Sequence, residues 1–373
     1  MIRCAAATLL AAVAALPSTG CTRGEHVVQG DLLVSAGRVF DGERVIEDGA
    51  VLIAFGRVAW VGRLGEADVQ ATRRASFPSG TILPGFIDLH VHRLGPDVAT
   101  GVTTSRDLGA PIGQLTLAVP DPPPGEKRLL LAGPMITVPG GYPIPVWGAA
   151  IGEPVRGGAE ARAAVRLLAD HGAAVIKISL EHQFPMLSAS EVTAIVDEAH
   201  ALGLDVTAHV SHVDVARIAL ESGVDELAHM PCVGRDVEIM RELARDVPVV
   251  GTLHVALGCP ALLENARAFV AAGGVLLYGS DYGSDREVPN GIDVEELELL
   301  VAAGLSPLEA IAAATSRAGE ALGLAPLGSL VEAAPADLIV VRGDPTKRLE
   351  ELARPLLVVA GGKVVAGSEH VRG

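Results

Sequence analysis

Residues 174–210 read AVIKISLEHQFPMLSASEVTAIVDEAHALGLDVTAHV, and this stretch decides the fold. Val175 to Leu180 is apolar apart from Lys177 and Ser179, which predicts a strand buried on both faces. Ser188 with Glu191 three residues on forms a capping box, and Gly203 closes the helix that follows. Leu204 to His209 is the next strand. The pattern then repeats. A helix over Val213 to Ser222, stopped by Gly223, leads to a strand from Asp225 to His229. Helix Asp236 to Arg245 leads to strand Val247 to Leu253, and helix Ala261 to Ala272 leads to strand Val275 to Gly279. A last long helix opens at Ser306-Pro307-Leu308-Glu309, with Ser as N-cap, Pro in the first turn and Glu at N3. Alternating strands and helices with almost wholly apolar strands imply an α/β fold with a parallel sheet covered on both faces. About eight such strands fit between Thr81 and Gly328, the size of a (β/α)8 TIM barrel. The competing doubly wound sheet lacks a Gly-rich phosphate turn after an early strand.

Outside this middle the style changes. From Val27 to Ser79 short β-type runs such as Ala50-Val51-Leu52-Ile53 are broken at Gly37, Asp41-Gly42, Asp48-Gly49 and Gly56. Asp337 to Val341, Leu356 to Val359 and Lys363-Val364-Val365 return to it. The two ends therefore predict one small composite β-sandwich domain. The divisions expected are a leader over 1–20, β-domain parts over 21–83 and 328–373, and the barrel over 84–327. The 373 residues are 49% hydrophobic but only 3% aromatic, so the core must be aliphatic. A net charge of −16 excludes the basic stripe of a nucleic-acid binder.

The chemistry begins at Leu83-Pro84-Gly85-Phe86-Ile87-Asp88-Leu89-His90-Val91-His92. Positions i and i+2 of a strand share a face, so His90 and His92 present two imidazoles to one point, where Zn, Fe or Mn would bind. Further donors recur near the carboxyl ends of later strands: Lys177, His209, His229 and Asp281. Lys177 is one of only four lysines, with Lys127, Lys347 and Lys363. In an apolar strand its ammonium would be heavily desolvated, which favours a neutral, nucleophilic amine. A snorkelling lysine, satisfied core histidines and a helix-capping aspartate are the alternatives. His182, His212, His254, Tyr282 and Arg106 also fall near strand ends, either lining a pocket or serving as ordinary loop residues.

Taken together, these stretches resemble the amidohydrolase superfamily, and within it an imidazolonepropionase-like and prolidase-like branch. The resemblance rests on Pro84 to His92, Gly101 to Gly109, Ile195 to His200, Gly223 to His229, Gly279-Ser280-Asp281 and the closing Ala336 to Val341. It implies a metal-dependent hydrolase of amide bonds, non-peptide or dipeptide, with two divalent ions, zinc foremost. His90, His92 and Asp281 would hold one ion, and His209 and His229 the other. Lys177, carbamylated by CO2, would bridge them, and Asp281 would move the proton of a hydroxide that the ions share. A mononuclear deaminase or cyclic-amide hydrolase, and a non-catalytic ligand-binding lipoprotein, are the alternative readings. Only eight residues separate His92 from Gly101, so the first β/α unit is expected to be abbreviated and the barrel partly open there.

The first residues carry one cation, Arg3, and an apolar run from Cys4 to Leu16 broken only by Thr8, which reads as a secretory signal peptide. Ser18-Thr19-Gly20-Cys21 resembles a lipobox, which would anchor Cys21 to a membrane through lipid. An exported protein, periplasmic or membrane-anchored, is therefore expected. Cys232 and Cys259 follow the sixth and seventh strands, and either two free thiols or a disulfide is open.

Overall fold

The computed structural model describes residues 27–284 and 286–373. The leader, Cys4 and Cys21 lie outside them.

Eight parallel strands form the expected barrel. They are β1 (Phe86–Val91), β2 (Val102–Asp107), β3 (Arg128–Leu131), β4 (Ile176–Leu180), β5 (Val206–Val210), β6 (Glu226–Leu227), β7 (Val249–Val250) and β8 (Leu276–Leu277). β1 pairs with β2 and β2 with β3. From β4 to β8 each strand pairs with the next. The join between β3 and β4 is bent. Gly133, at φ 77°, turns the chain into a continuation at Met135–Thr137, which pairs with β4 through Ile136 and Ile178. Near the bend, the Ala174 N–H donates to Leu131 O at 2.8 Å. The ring closes where Asp281 N–H donates to His90 O at 2.8 Å and His92 N–H to Tyr282 O at 2.6 Å.

Helices Gly157–Asp170, Ala189–Ala201, Val213–Glu221, Val237–Asp246 and Leu262–Ala271 wrap β4 to β8. The capping box at Ser188 and Glu191 is formed, and so is the one at Ser306 and Glu309. The first β/α unit is abbreviated as expected, holding only the 3-10 turn Val98–Thr100; the second holds only Ile112–Leu117. The barrel is nevertheless not open there, because β1 and β2 stay paired in parallel from Phe86 and Val102 to Val91 and Asp107, through two register shifts. The expected gap is filled by the β-domain.

That domain draws on both chain ends. Strands Val28–Phe40, Gly49–Ala54, Arg57–Arg63, Val69–Pro84, Leu338–Arg342, Leu357–Ala360 and Lys363–Ala366 lie in one sheet, with Val45–Glu47 paired beside the first. Its edge at Arg57–Arg63 turns back on segment 333–336, where Val58 N–H donates to Ala334 O. The sheet thereby curls over its own core. Side chains alternate along a strand: Leu338 and Val340 enter this core, whereas Ile339 and Val341 join Phe86 and Val102 in the barrel's core. The β-domain thus covers β1 and β2 where helices are missing. Gly125 N–H, donating to Ala360 O, ties the loop before β3 to it.

Candidate active site

Five of the six donors picked out in the sequence lie at or just past the carboxyl ends of β1, β5 and β6 or after β8; Lys177 does not, being the second residue of β4 and so deeper in the barrel than expected. His90 Nδ1 donates to Ala228 O at 2.8 Å. A carbonyl only accepts, so His90 keeps Nε2 as a lone-pair donor, 3.4 Å from Asp281 Oδ1. His92 Nε2 stands 3.1 Å from the same oxygen. These three residues meet closely enough to share one ion.

His229 Nδ1 is 2.7 Å from Thr252 Oγ1, whose own proton goes to Gly251 O at 2.9 Å. Thr252 therefore accepts, and His229 is left with a free Nε2. His209 presents Nε2 to Glu181 Oε2 at 3.3 Å and so keeps Nδ1 for the site. The His209 and His229 rings lie 4.5 Å apart, and those of His90 and His229 4.7 Å. In each of the three cases an outer partner sets the tautomer and aims the other nitrogen inward, as metal-ligating histidines require.

Lys177 is 0% exposed, and among the described residues its Nζ has no hydrogen-bond partner. Burial pushes its ammonium down to about 7, with Glu226 and Asp281 opposing and Arg106 adding to the fall. Burial, with Lys177 as a neighbour, likewise pushes the His90 imidazole well below its ordinary value. Burial does the same to His229, assisted by His209 and then Lys177. Neutral imidazoles around an amine whose charged form is disfavoured by burial suit cation binding. Glu181 is the reverse case. Burial would raise it, but bonds from His209 and Ser211 outweigh burial and hold it well below the usual carboxylate range.

Asp281 adopts φ 56°, a left-handed conformation rare outside glycine. Two devices hold it there. Its N–H is bound by His90 O, and the preceding Ser280 is clamped on Asp88, which accepts both the Ser280 N–H and hydroxyl. Asp88 also accepts the His90 N–H, so one buried carboxylate fixes the ends of β1 and β8 together. Burial pushes Asp88 up to about 7 against these bonds. Thr252, at φ 45°, is strained in the same way beneath His229.

The remaining sequence candidates fall elsewhere. Arg106 does not line a pocket; it lies in the barrel interior, donating to Leu89 O and pairing with Glu226, which also accepts the Thr207 hydroxyl. His254 is anchored by Asp293 and Glu295. Tyr282 continues the seam between β1 and β8 through its bridge with Val91. His182 and His212 sit outside the site, against Asp214. Cys232 and Cys259 are joined as a disulfide, with Cα atoms 5.7 Å apart.

Sequence reasoning missed Glu181, Thr252, Tyr142 and Trp147. Tyr142 stacks on His209 with ring centroids 4.5 Å apart, and Trp147 stands edge-on to His92 at 4.6 Å. The segment between Thr137 and Gly152 thus lays two aromatic rings over the donors, in a chain with only three Tyr and two Trp. Glu181 was legible in principle, since it shares the strand parity of Lys177 at i+4. The aromatic pair had no signal beyond its rarity.

A parallel barrel with histidine and aspartate donors at its carboxyl end and a buried lysine beneath them fits a hydrolase of the amidohydrolase class. The model of the amidohydrolase family matches residues 98–365, and the chain belongs to that family. Among curated proteins it is similar to ochratoxinase of Aspergillus niger, 29% identical over 244 residues covering 56% of this chain and 49% of the relative. The chain therefore spans about half the length of that relative. An uncharacterised Mycobacterium tuberculosis protein is 28% identical over 331 residues, 77% of this chain and 86% of the relative. Among solved structures, a Xaa-Pro dipeptidase with bound methionine superposes with a TM-score of 0.76 at 22% identity, covering 89% of this chain and 99% of the other. A prolidase-type structure from Bifidobacterium longum gives 0.76 at 26% identity over 90% of this chain and 95% of the other. Aspergillus niger ochratoxinase gives 0.75 at 21%, over 90% and 95%.

Proposed function

We propose that the protein is a metal-dependent hydrolase of amide bonds in small molecules. Two divalent cations, for which zinc suits the imidazole-rich donor set, would be held by His90, His92, His209, His229, Asp281 and a carbamate on Lys177. The observation that carries this reading is Lys177, a fully buried amine with no hydrogen-bond partner among the described residues. A buried unpaired ammonium is costly, whereas the neutral amine is a nucleophile. Nζ would form a bond to the carbon of CO2 and release a proton to water. The resulting N-carboxylate carries one negative charge on two oxygens, enough to serve two cations. Such a cation pair supplies a water of lowered pKa and polarises the scissile carbonyl.

The chain's own part is positioning and proton movement. Asp281, held at φ 56° by His90 and Ser280, would take the proton of the attacking water. As the carbon–nitrogen bond breaks, the same carboxyl would return that proton to the leaving nitrogen, giving a carboxylate and an amine. A mononuclear deaminase or cyclic-amide hydrolase would use His90, His92, His209 and Asp281 and leave Lys177 without a task.

A cavity of about 500 Å³ opens beside His92, with Leu94, Pro111, Leu117 and Trp147 as apolar walls and Arg93 as its cation. Among the described residues no carboxylate lines it, in a chain of net charge −16. This supports a substrate with an apolar group and a free carboxylate, such as a dipeptide or an N-acyl amino acid. Residues 1–20 and Cys21 support export with a lipid anchor, and a disulfide suits an oxidising compartment.

Metal content per chain, measured before and after Lys177→Ala, tests the reading. Close to two ions falling in the variant is expected; one ion in both would favour the mononuclear alternative. Hydrolysis of N-acyl amino acids over the matching neutral amides tests the substrate side.

A further inference from the structure

Outside the donor set at the barrel's centre, two histidines and one aspartate converge on the rim of the same face. His182 follows β4, His212 follows β5, and Asp214 lies in the first turn of helix Val213–Glu221. His182 Nδ1 is 3.1 Å from Asp214 Oδ2, and His212 Nδ1 is 3.9 Å from Asp214 Oδ1. The imidazole rings lie 4.9 Å apart at an angle of 39°. One ligand atom from each residue falls within 4.8 Å of the other two. Side-chain exposures of 55% for His182, 23% for His212 and 58% for Asp214 leave the triad open to solvent.

We propose that His182, His212 and Asp214 form a separate binding site for a first-row divalent transition metal ion such as Zn2+. Two imidazole nitrogens and one carboxylate oxygen select such an ion over Mg2+ or Ca2+, which require mainly oxygen ligands. Three protein donors leave coordination positions for water. The platform is already rigid. His212 forms a parallel bridge with Val233, the Cys232 and Val233 N–H groups both donate to Ser211 O, and the disulfide to Cys259 pins that neighbour. Asp214 Oδ1 also accepts the Val215 N–H at 3.0 Å, which limits its rotation.

The site also has a physical link to the centre. Ser211, the neighbour of His212, donates to Glu181, the neighbour of His182, at 2.6 Å, and Glu181 in turn faces His209. An ion on the rim would therefore tie together the two strand ends whose adjacent residues hold His209.

The test compares Zn2+ content by mass spectrometry after equilibrium dialysis of the full chain against buffered free Zn2+. The parent is set beside Asp214→Asn, which keeps the shape of the side chain, and beside the double variant His182→Asn/His212→Asn. The difference between parent and variant is read, not the total, so the result stands whether the centre holds two ions, one or none. The parent is expected to bind one ion more than the double variant. Asp214→Asn should weaken that ion by more than about 100-fold, beyond the loss of an outer-shell partner. Equal contents in parent and double variant across the free Zn2+ range would overturn the proposal. So would a Co2+ titration that gives the same absorption in the parent and the double variant.

Discussion

Breaking the Cys232–Cys259 bond should destabilise the protein by a calculable amount without unmaking the barrel. The two cysteines are 27 residues apart in sequence. A cross-link over such a loop removes about 12 cal/mol/K from the unfolded chain, or about 3.5 kcal/mol at room temperature. Unfolding entropy of about 2.1 cal/mol/K per residue, summed over this chain, is about 0.8 kcal/mol/K. The melting temperature should therefore fall by about 4–5 °C. Cys259→Ser is the better variant, because Cys259 is only partly buried whereas Cys232 is in the core. Calorimetry of the parent, the reduced parent and the variant separates the cross-link from the side-chain change. Reduced parent and variant should agree. A fall of less than about 1 °C in both would refute the entropy argument, and two free thiols at these positions in the oxidised parent would refute the bond itself.

Glu181→Ala removes the carboxylate that orients His209, and about 10–100-fold weaker binding of one zinc ion is expected from chelator competition, with little change in melting temperature. Gly279→Ala drives a methyl into Val250 Cγ1 and places it 2.9 Å from the His90 Cβ. Overpacking of about 1–3 kcal/mol should result, with lower metal content because His90 is displaced; thermal unfolding and metal analysis would read both. Ser188→Ala breaks a capping box and should cost about 1 kcal/mol in denaturant unfolding. Slight burial would raise Glu191, but bonds from Ser188 and Gly157 hold it below 4.5, so its capping contribution is complete above that pH and fades as pH falls through the lowered value. An unchanged Ser188→Ala penalty at acid pH would contradict this coupling.

The barrel was legible because its strands are buried on both faces, so Val175 to Leu180 had to be apolar wherever function did not intervene. For the same reason Lys177 stood out: a lysine in such a run violates the pattern, and no core packing explains it. His90 and His92 were legible as a pair because strand parity is local. Partners distant in sequence had no such signal. Arg106 meets Glu226 across 120 positions, and nothing near Arg106 distinguishes the barrel interior from a pocket wall.

What the amino-acid order determined by itself was therefore periodic or local: alternating strands and helices, capping boxes at Ser188 and Ser306, and donors placed at strand ends. Tertiary structure decided which atom of each donor faces the centre. His90, His209 and His229 each spend one ring nitrogen on Ala228, Glu181 or Thr252, and only the fold brings those partners within reach. It also decided that Cys232 bonds Cys259, that the β-domain replaces the two missing helices, and that Tyr142 and Trp147 cover the donors. These are through-space contacts between segments far apart in the chain. Hydrophobic patterning constrains which face a residue takes, but closure of the barrel alone sets which residues meet.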